Sequence, residues 1–315
     1  MRFFSRREAA RLAAGGFFAA AASRLPALAS TAAEVTEVAP GLFVRVGVHE
    51  VATAANRNAI CNIGFAIGRE SVAVIDPGGS LADGQALREA IRARTPLPIR
   101  YVIVTHIHPD HILGSPAFAG DRPEFIGHAA LPQFVAERGE FYRKGMHDLL
   151  GGEGGAAAKL DRTVSTTATI DLGGRPLEIQ AHGRGHSGAD LTVMDPATGT
   201  LWAADLLFVT RIPSLDGSLT GWLKELAELK KIKAARAVPG HGPASVPWPD
   251  AAADEERYLQ TLAADVRAVL KRGGDIEEAA KVAAQSERGR WLLFDDYNAH
   301  NAAQAVHELE WEDAQ

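Results

Sequence analysis

Cysteine is nearly absent from this sequence of 315 residues, which contains only Cys61. A single cysteine excludes an intramolecular disulfide, so the folded chain must be stabilised by its core and by any bound metal. Positive charge is also scarce, because 33 lysine and arginine residues face 39 acidic ones and the formal net charge is −6. An acidic chain repels phosphate backbones, and we therefore expect no nucleic acid among its partners.

Long hydrophobic runs are absent after the N-terminal region. No stretch there approaches the roughly twenty apolar residues that a membrane span needs, so we expect no membrane contact from the mature form. Hydrophobic residues make up 46% of the chain and charged residues 23%, which is typical of a globular protein. The length allows one large domain, or one domain with an appendage.

The N-terminal residues 1–29 predict an export signal that is not part of the fold. Four arginines precede a weakly hydrophobic run, Leu12–Ser23, and Ala27-Leu28-Ala29 is a small-x-small cleavage pattern. The pair Arg6-Arg7 indicates the twin-arginine route, and so a periplasmic protein cleaved near Ala29. An uncleaved amphipathic helix is the alternative. Cleavage would remove five arginines and one glutamate and change the formal net charge from −6 to −10.

Short strands and helices follow this signal. Ser71–Ile75 is an apolar run that ends at the turn Asp76-Pro77-Gly78-Gly79, which predicts a buried strand. Ser80–Arg94 has the period of a helix, and Arg100–Val104 is a second buried strand. This order is typical of α/β proteins, whose ligand sites form beyond the carboxyl ends of strands. Other predicted strands are Leu42–Val46, Ile63–Ile67, Thr167–Asp171, Leu177–Ala181, Leu191–Met194 and Leu201–Ala204.

Three later regions have other patterns. Phe141–Lys159 contains the glycine-rich run Gly151–Gly155 with no strand pattern on either side, so we interpret it as a mobile insertion. Leu219–Ala235 has the period of a helix. Pro249–Glu312 is helical apart from breaks at Gly273-Gly274 and near Gly289, and this predicts a C-terminal helical extension.

The segment His106-Ile107-His108-Pro109-Asp110-His111 places four potential metal ligands in six residues, directly after a buried strand. Alternate residues of an extended chain face the same way, so His106 and His108 can turn inward together. Asp110 and His111 then point to a neighbouring position, and one loop can supply two metal sites. Imidazole and carboxylate are ligands that suit zinc, with iron and manganese as alternatives.

Three further candidate ligands lie beside apolar strands. His186 lies in Gly185-His186-Ser187-Gly188, where glycine lets the backbone pass close to a site. Asp205 follows the predicted strand Leu201–Ala204, and His241 lies in Pro239-Gly240-His241-Gly242. One such residue alone is usually solvated, but the complete series predicts a metal centre. Seven ligands for two ions leave open positions, which indicates catalysis and not a closed structural zinc site.

These motifs make the sequence resemble the metallo-β-lactamase superfamily over about Val38–Pro247. The resemblance implies an α/β fold, the αββα sandwich, in residues 30–247, with residues 248–315 as a helical extension packed on it. It implies a first metal site at His106, His108 and His186, a second at Asp110, His111 and His241, and a bridge at Asp205. It also implies that Asp76 supports the metal loop without binding metal.

The resemblance further implies a hydrolase with two zinc ions per chain. A metal lowers the pKa of bound water from about 15.7 to about 7, and a hydroxide held between the ions would attack a carbonyl. Asp110 is the expected catalytic residue, because it can orient this nucleophile and move its proton. We expect a small-molecule ester, thioester, lactone or related substrate. Phe141–Lys159 would cover the groove, and Arg184 and Arg211 are candidates for binding a substrate carboxylate.

Differences from individual classes of this superfamily narrow the expected hydrolytic activity. β-Lactamases of the best-known zinc class have cysteine where Asp205 stands, so we expect β-lactamase activity less than other hydrolysis. The bridging aspartate with a complete histidine motif is similar to glyoxalase II and lactonases. Ala204–Val209, Arg211-Ile212-Pro213 and Asp216–Leu223 resemble exported zinc metallohydrolases associated with periplasmic quinoprotein dehydrogenase and sulfur-oxidation systems. That likeness suggests a functional association with a quinoprotein system.

Two other functions stay open at this point. A mononuclear iron persulfide dioxygenase would use the same scaffold with fewer of the ligands, and a quinoprotein-associated accessory factor would show little turnover. Metal content separates the first of these from a dinuclear hydrolase. Among the remaining histidines, we consider His128, His147 and His182 as candidates for the groove lining, and expect His49, His300 and His307 at ordinary surface or helix positions.

Overall fold

The computed structural model describes residues 32–312, so the predicted export signal lies outside the described residues. These residues form two β-sheets. The seven-stranded sheet contains, in spatial order, β1 Thr36–Ala39, β2 Leu42–Arg45, β3 Ile63–Ile67, β4 Val72–Ile75, β5 Ile99–Val104, β6 Glu124–His128 and β7 Arg162–Val164. The six-stranded sheet contains β8 Thr167–Asp171, β9 Pro176–Ala181, β10 Leu191–Asp195, β11 Thr200–Phe208, β12 Arg236–His241 and β13 Val246–Pro247.

Helices cover the outer faces of both sheets. The α-helices are α1 Leu81–Arg92, α2 Pro109–Ile112, α3 Leu131–Leu150, α4 Leu219–Leu229, α5 Ala253–Lys271, α6 Ile276–Val282 and α7 Phe294–Leu309. Within residues 32–312, none of the helices has the length and apolar character that a membrane crossing would need.

Parallel pairing in the middle of the first sheet places the metal motif at a sheet edge. β4, β5, β6 and β7 pair in parallel, and β5 runs directly into His106. β4 and the second half of β5, Val102–Val104, are apolar and buried because both faces of this sheet are covered there. Val74 and Val102 face the helical side with Leu87 of α1, whereas Ile103 faces the other sheet.

Three hydrophobic clusters correspond to the three contacts between four layers. One joins the first sheet to α1, the second fills the space between the two sheets around Trp202, and the third joins the second sheet to α4, α5 and α7 around Trp222 and Tyr258. The layers are therefore helix, sheet, sheet and helix. This arrangement confirms the predicted αββα sandwich with a helical C-terminal part.

Most predicted elements lie within two residues of the observed ones, but three predictions need correction. The helix predicted over Leu219–Ala235 ends at Leu229. The first part of the supposed insertion, from Phe141, belongs to α3, and the next residues are anchored because the Ala156 amide donates to the Leu113 carbonyl at 2.9 Å. The sequence signal for α3 is weak because, within the described chain, Leu131 is its only buried residue.

The third correction concerns the second sheet. β11 does not end before Asp205 but continues through it to Phe208. Ala204 pairs with Pro239 and Phe208 with His241, so β11 has an irregular bulge between these two pairs. Ala204 has a φ of 48° at the start of this bulge. The bulge turns the Asp205 carboxylate towards the end of β12 while the apolar strand continues.

Candidate metal centre

The seven predicted ligands converge at the edge where the two sheets meet. His106 and His108 lie in the loop after β5, and Asp110 and His111 lie in the short helix α2. From the second sheet come His186, in the loop between β9 and β10, Asp205 in β11 and His241 at the end of β12. All are buried except His108, whose side chain is 15% exposed.

The first cluster consists of three imidazoles and one carboxylate. His108 Nδ1 lies 3.1 Å from His106 Nε2 and 2.7 Å from His186 Nε2. Asp205 Oδ2 lies 3.3 Å from His186 Nε2 and 3.7 Å from His106 Nε2. The four ligand atoms lie within 4.8 Å of one another, which fits the ligand set of one metal ion.

The second cluster shares the carboxylate of the same aspartate. Asp205 Oδ1 lies 3.0 Å from His111 Nε2, and Asp205 Oδ2 lies 3.4 Å from His241 Nε2. Asp110 Oδ2 is 3.3 Å from His241 Nε2 and 3.6 Å from His111 Nε2. Asp205 therefore touches both clusters, as a bridging ligand would.

Gly240 makes the close approach of Asp205 to β12 feasible. A Cβ atom at this position would lie 1.8 Å from Asp205 Oδ1. Any side chain here would displace the bridging carboxylate. The close packing of β11 and β12 thus explains why glycine precedes His241 in the Gly-His-Gly pattern.

The nitrogen atom of each histidine that points away from the centre has an oxygen partner. These contacts are His106 Nδ1 with Thr105 Oγ1 at 3.0 Å, His108 Nε2 with Asp216 Oδ2 at 3.3 Å, His111 Nδ1 with Asp76 Oδ2 at 2.8 Å, His186 Nδ1 with the Ser214 carbonyl at 2.7 Å and His241 Nδ1 with the Ile60 carbonyl at 2.9 Å. For His106, His108, His111 and His186, an N–H on the outer nitrogen donates to that oxygen and leaves a lone pair on the inner nitrogen, whereas His241 Nδ1 also lies 2.8 Å from the donor Arg211 Nη1. This tautomer is the one that binds a metal.

Asp76 supports both clusters at once. Its Oδ1 accepts from the Thr105 amide at 2.8 Å, and its Oδ2 accepts from the Thr105 hydroxyl at 2.8 Å and from His111. The Thr105 hydroxyl in turn faces His106. Asp76 is fully buried and contacts no inner nitrogen, so its position agrees with a role in supporting the loop.

Two buried polar atoms in the middle of the centre indicate that a cation belongs there. His111 Nε2 and Asp205 Oδ1 are both buried and lie 3.0 Å from each other, and neither has another polar partner in a hydrogen bond among residues 32–312. Leaving buried polar groups short of partners costs about 1–3 kcal/mol each. Metal ions would satisfy both atoms, together with the inward-facing nitrogens of the other histidines. The residues present therefore fit a metal centre.

The electrostatics of the two clusters agree with this fit. Burial lowers the pKa of His186 to about 3 and, with help from His111, holds the pKa of His106 well below its ordinary value. Both imidazoles are therefore neutral at physiological pH. Burial opposes protonation of His111, but Asp205 and other nearby anionic groups outweigh it and raise its pKa well above the usual range. The surroundings of His111 thus favour positive charge.

The two carboxylates that would bind the second ion are held in the ionised form. Burial acts to raise the pKa of Asp110 and of Asp205, but nearby His111 and His241 outweigh it. Both pKa values lie below the ordinary range. The carboxylates are therefore charged at neutral pH, as metal ligands must be.

The two arginines proposed for substrate binding have different surroundings. Arg211 is only 3% exposed, and its Nη1 and Nη2 lie 2.8 Å from His241 Nδ1 and 2.6 Å from the Tyr297 hydroxyl. Its guanidinium thus lies behind a metal ligand and not in an open groove. Arg184 is exposed and donates to the Gly217 carbonyl at 3.2 Å, in a surface depression on the other side of His186. The structure brings neither side chain to the open side of the clusters.

A cavity of about 580 Å³ opens beside His108 and has the place expected for a substrate. It is lined by His108, Glu137, Arg138, Phe141, Tyr142, Ser214, Asp216 and His300. The Tyr142 ring centroid is 6.2 Å from that of His108, so α3 forms one wall of the site. Region Phe141–Lys159 therefore contributes to the groove through a helix and not through its glycines.

Several residues of this site were not found from the sequence. Ser214 lies in no motif, and Asp216 belongs to a segment identified only by its family resemblance, with no role assigned to its side chain; Arg138 and Tyr142 lie on α3, which the sequence pattern does not predict. His300, expected at an ordinary position, lines the cavity. Burial lowers the pKa of His49, with further effects from His241 and Arg211, so His49 also lies near the centre. His182 instead bonds Glu225 and Thr192, at 3.0 and 2.8 Å.

Comparisons with known proteins agree with this geometry. The model of the Metallo-beta-lactamase superfamily matches residues 57–241, more than half of the chain.

Solved structures show the same fold. A solved metallo-beta-lactamase from Pontibacter korlensis is 20% identical, with a TM-score of 0.60 over 72% of this chain and 98% of that one. A stereoselective inverting sec-alkylsulfatase from Pseudomonas sp. is 17% identical, with a TM-score of 0.66 over 90% of this chain and 52% of that one. The chain thus spans about half the length of the sulfatase, and at these identities both similarities establish the fold alone. No curated protein sequence matches.

Proposed function

Because this chain belongs to the metallo-beta-lactamase superfamily, we propose that it is a hydrolase that uses two metal ions. Zinc suits its ligands, with iron and manganese as alternatives. The observation that carries the proposal is the shared carboxylate of Asp205, which lies against both clusters of inward-facing imidazole nitrogens. Members of this superfamily are mostly metal-dependent hydrolases.

The residues around the clusters provide the other parts of a hydrolytic site. Metal ions held by the two clusters would polarise a carbonyl and lower the pKa of bound water to about 7. Asp110 is ionised at neutral pH, so it can accept a hydrogen bond from an attacking water molecule and orient it, and its carboxylate is also our candidate for moving the proton of that water. Arg138 and Tyr142 line the cavity beside His108, where they can hold a polar group of the substrate. The proposed substrates are esters, thioesters, lactones and related carbonyl compounds.

The decisive experiment combines metal analysis with a substrate panel on the purified protein. The panel contains p-nitrophenyl esters, lactones, S-lactoylglutathione, nitrocefin and a secondary alkyl sulfate, the last because of the sulfatase-like fold. We expect two metal ions per chain and hydrolysis of a carbonyl substrate that stops when a chelator removes the metal. One iron per chain without hydrolysis would favour the persulfide dioxygenase. Full metal loading without turnover would favour an accessory factor.

We also propose export to the periplasm with cleavage near Ala29, on the basis of Arg6-Arg7 and the small-x-small pattern. A variant with Arg6→Lys and Arg7→Lys should accumulate as precursor in the cytoplasm, because the twin-arginine route requires the pair. Cell fractionation followed by immunoblotting measures this. Normal periplasmic accumulation of the variant would contradict the twin-arginine assignment, though not export itself. The association with a quinoprotein system stays a prediction.

A further inference from the structure

The chain between β11 and α4, residues 209–218, supplies groups that contact the outer side of three histidine ligands; we term it the backing segment. Its Ser214 carbonyl accepts from His186 Nδ1 at 2.7 Å, and its Asp216 carboxylate contacts His108 Nε2 at 3.3 Å. The guanidinium of its Arg211 lies beside His241. The orientation of these imidazoles therefore depends on where the backing segment lies.

The C-terminal extension holds the backing segment at several points. The Ile212 amide donates to the Leu292 carbonyl at 3.1 Å, and the Leu292 amide donates to the Thr210 carbonyl at 2.9 Å. At the far end, the Glu308 carboxylate of α7 accepts from the Ser218 hydroxyl at 2.9 Å. The extension thus contacts the segment along its length, beyond its apolar contact with the second sheet.

Asn301 of α7 bonds the backing segment on both sides of Ser214. Its side chain is 0% exposed. Its Oδ1 accepts from the Leu215 amide at 2.9 Å, and its Nδ2 donates to the Pro213 carbonyl at 2.7 Å. These two bonds fix the peptide groups on both sides of Ser214. They thereby determine where the Ser214 carbonyl points, and that carbonyl is the oxygen that His186 Nδ1 faces.

We infer that Asn301 is a positioning residue for the metal ligand His186, and that the C-terminal extension thereby helps to orient the ligands of the metal centre. Asn301 touches no ligand itself and acts through Ser214. By holding that carbonyl in place, it keeps the N–H of His186 on Nδ1 and the lone pair of Nε2 directed at the first cluster. This inference rests on the metal-binding part of the proposed function and is independent of the substrate.

Asn298, three residues earlier on the same helix, provides a matched control. It is 2% exposed, accepts from the Tyr258 hydroxyl at 3.0 Å and donates to the Ala283 carbonyl at 2.9 Å. Asn298 and Asn301 are thus both buried amides, with two and three hydrogen bonds respectively, and the third bond of Asn301 donates to the same Tyr258 hydroxyl at 2.9 Å. The bonds of Asn298 stay within the extension, whereas the two other bonds of Asn301 reach the backing segment.

The test compares Asn301→Ala with Asn298→Ala in the full chain. The zinc dissociation constant is measured on metal-free protein by competition with a fluorescent chelator, and the visible spectrum is recorded after loading with cobalt. Loss of an outer group that orients a metal-binding histidine weakens metal binding by about 10–100-fold. We expect about tenfold weaker zinc binding at one of the two sites of Asn301→Ala and a shifted cobalt spectrum, because the effect passes through one carbonyl. Asn298→Ala should resemble the wild type in both.

A second variant keeps the test informative if Asn301→Ala does not fold. Asn301→Asp has nearly the same size and keeps an acceptor for the Leu215 amide, but it replaces the donor to Pro213 by an oxygen. It should therefore weaken zinc binding in the same direction. Equal losses in the Asn301 and Asn298 variants, or no loss in either Asn301 variant, would overturn the positioning role. A wild-type protein that binds no zinc, cobalt or other divalent metal would overturn the proposed function as well, which distinguishes the two failures.

Discussion

The side chain of Asp76 illustrates how much of a metal centre can depend on a residue that binds no metal. It accepts directly from His111, and through the Thr105 hydroxyl it reaches His106, so it fixes one histidine of each cluster. Its φ of 57° lies in the left-handed region, which costs about 1–3 kcal/mol for residues other than glycine but is tolerated better by aspartate. The contacts of its carboxylate hold this conformation.

We predict that Asp76→Asn weakens metal binding at both sites. Asparagine keeps the size but replaces one acceptor oxygen by an NH₂ donor, so either Thr105 or His111 loses its acceptor. Zinc affinity should fall about 10–100-fold, the range for groups that orient a ligand. Zinc per chain after dialysis against a chelator measures this. Asp195→Asn is the control, because Asp195 is 2% exposed and pairs with Arg175 at 2.6 Å, away from the centre. Equal zinc retention in the two variants would contradict the prediction.

At the level of residues, the sequence identifies the metal ligands better than it identifies the residues that contact the outer nitrogen atoms of those ligands. Histidine is uncommon, and its local spacing marks His106, His108 and His111 together. The contact of His108 with Asp216 joins residues 108 positions apart, and no local pattern marks it. Arg211 was assigned to substrate because it lies near Asp205 in sequence, but His241 and Tyr297 surround it in the fold. The role of such a residue depends on which distant elements pack around its side chain, and the local spacing of residues in the sequence does not show this.

The bulge of β11 needs support from the C-terminal extension. Because the register shifts between Ala204 and Phe208, the Phe208 amide is free of the ladder at that point, and Glu255 Oε1 of α5 accepts from it at 2.9 Å. Glu255 Oε2 is buried without a hydrogen-bond partner among residues 32–312. Burial raises the pKa of Glu255 well above its ordinary value, so its neutral form is favoured in the folded protein.

We predict that Glu255→Gln makes the protein relatively more stable as the pH rises. A carboxyl whose pKa is raised on folding contributes stability that is fully present below its unfolded pKa of about 4.3 and is lost as the pH rises through the folded pKa. Glutamine keeps an acceptor for Phe208 and does not ionise. The melting temperature of the variant minus that of the wild type, measured with chelator, should therefore increase from about pH 4.5 to about pH 8.

Glu256→Gln, the neighbouring substitution, is the control for this pH dependence. Glu256 is partly exposed and pairs with Lys230 at 2.6 Å, so its charge is favourable in the folded protein. The melting temperature of Glu256→Gln minus that of the wild type should therefore not increase at high pH. A difference for Glu255→Gln that stays constant across the pH range would mean that the carboxyl ionises no differently on folding.

We predict that Arg138→Gln raises KM while the bound metal stays unchanged. Arg138 of α3 lines the cavity and pairs with Asp216, and a hydrogen bond from a charged group contributes about 1.5–3 kcal/mol. Because its side chain is 43% exposed, solvent reduces this, and we expect about a tenfold rise in KM. Steady-state kinetics with metal analysis measure the effect. Arg143→Gln on the same helix, where Arg143 pairs only with exposed Glu140, is the control. Loss of metal would instead mean that Arg138 holds His108 through Asp216.

Among the elements, the central strands were the easiest to predict and α3 the hardest. β4 and the second half of β5 are covered on both faces and form short apolar runs, so composition and length identify them. α3 packs only lightly on the core, and Gly139 and Gly145 interrupt its apolar pattern. The bulge in β11 was also missed, because a polar residue inside a buried strand looks like the end of that strand. In both cases tertiary contacts override the local pattern.

At the scale of the whole molecule, the metal centre connects parts of the chain that have separate cores. The first sheet supplies His106, His108, Asp110 and His111 through one loop and one helical turn. The second sheet supplies His186, Asp205 and His241, and the C-terminal extension supports these from behind. Bound ions would therefore tie the two halves of the sandwich together. Metal content should affect global stability as well as catalysis.

We predict that metal binding stabilises this fold in two separable steps. A ligand present at a hundredfold excess over its Kd adds about 2.7 kcal/mol of stability, so two sites filled to that degree would add about twice as much. His241→Ala removes a ligand of the second cluster only, and zinc should then saturate near one ion per chain with about half of the zinc-dependent stabilisation. Asp205→Ala removes the shared carboxylate, so most of that stabilisation should disappear. Metal content by mass spectrometry and chemical unfolding with and without zinc measure both quantities.

His307→Ala, which replaces an exposed histidine on α7, is the control and should behave like the wild type. A wild-type protein that saturates at one iron, and that loses neither metal nor stability in His241→Ala, would contradict the dinuclear centre, because the inward-facing groups of Asp110, His111 and His241 would then converge on Asp205 without binding a second ion.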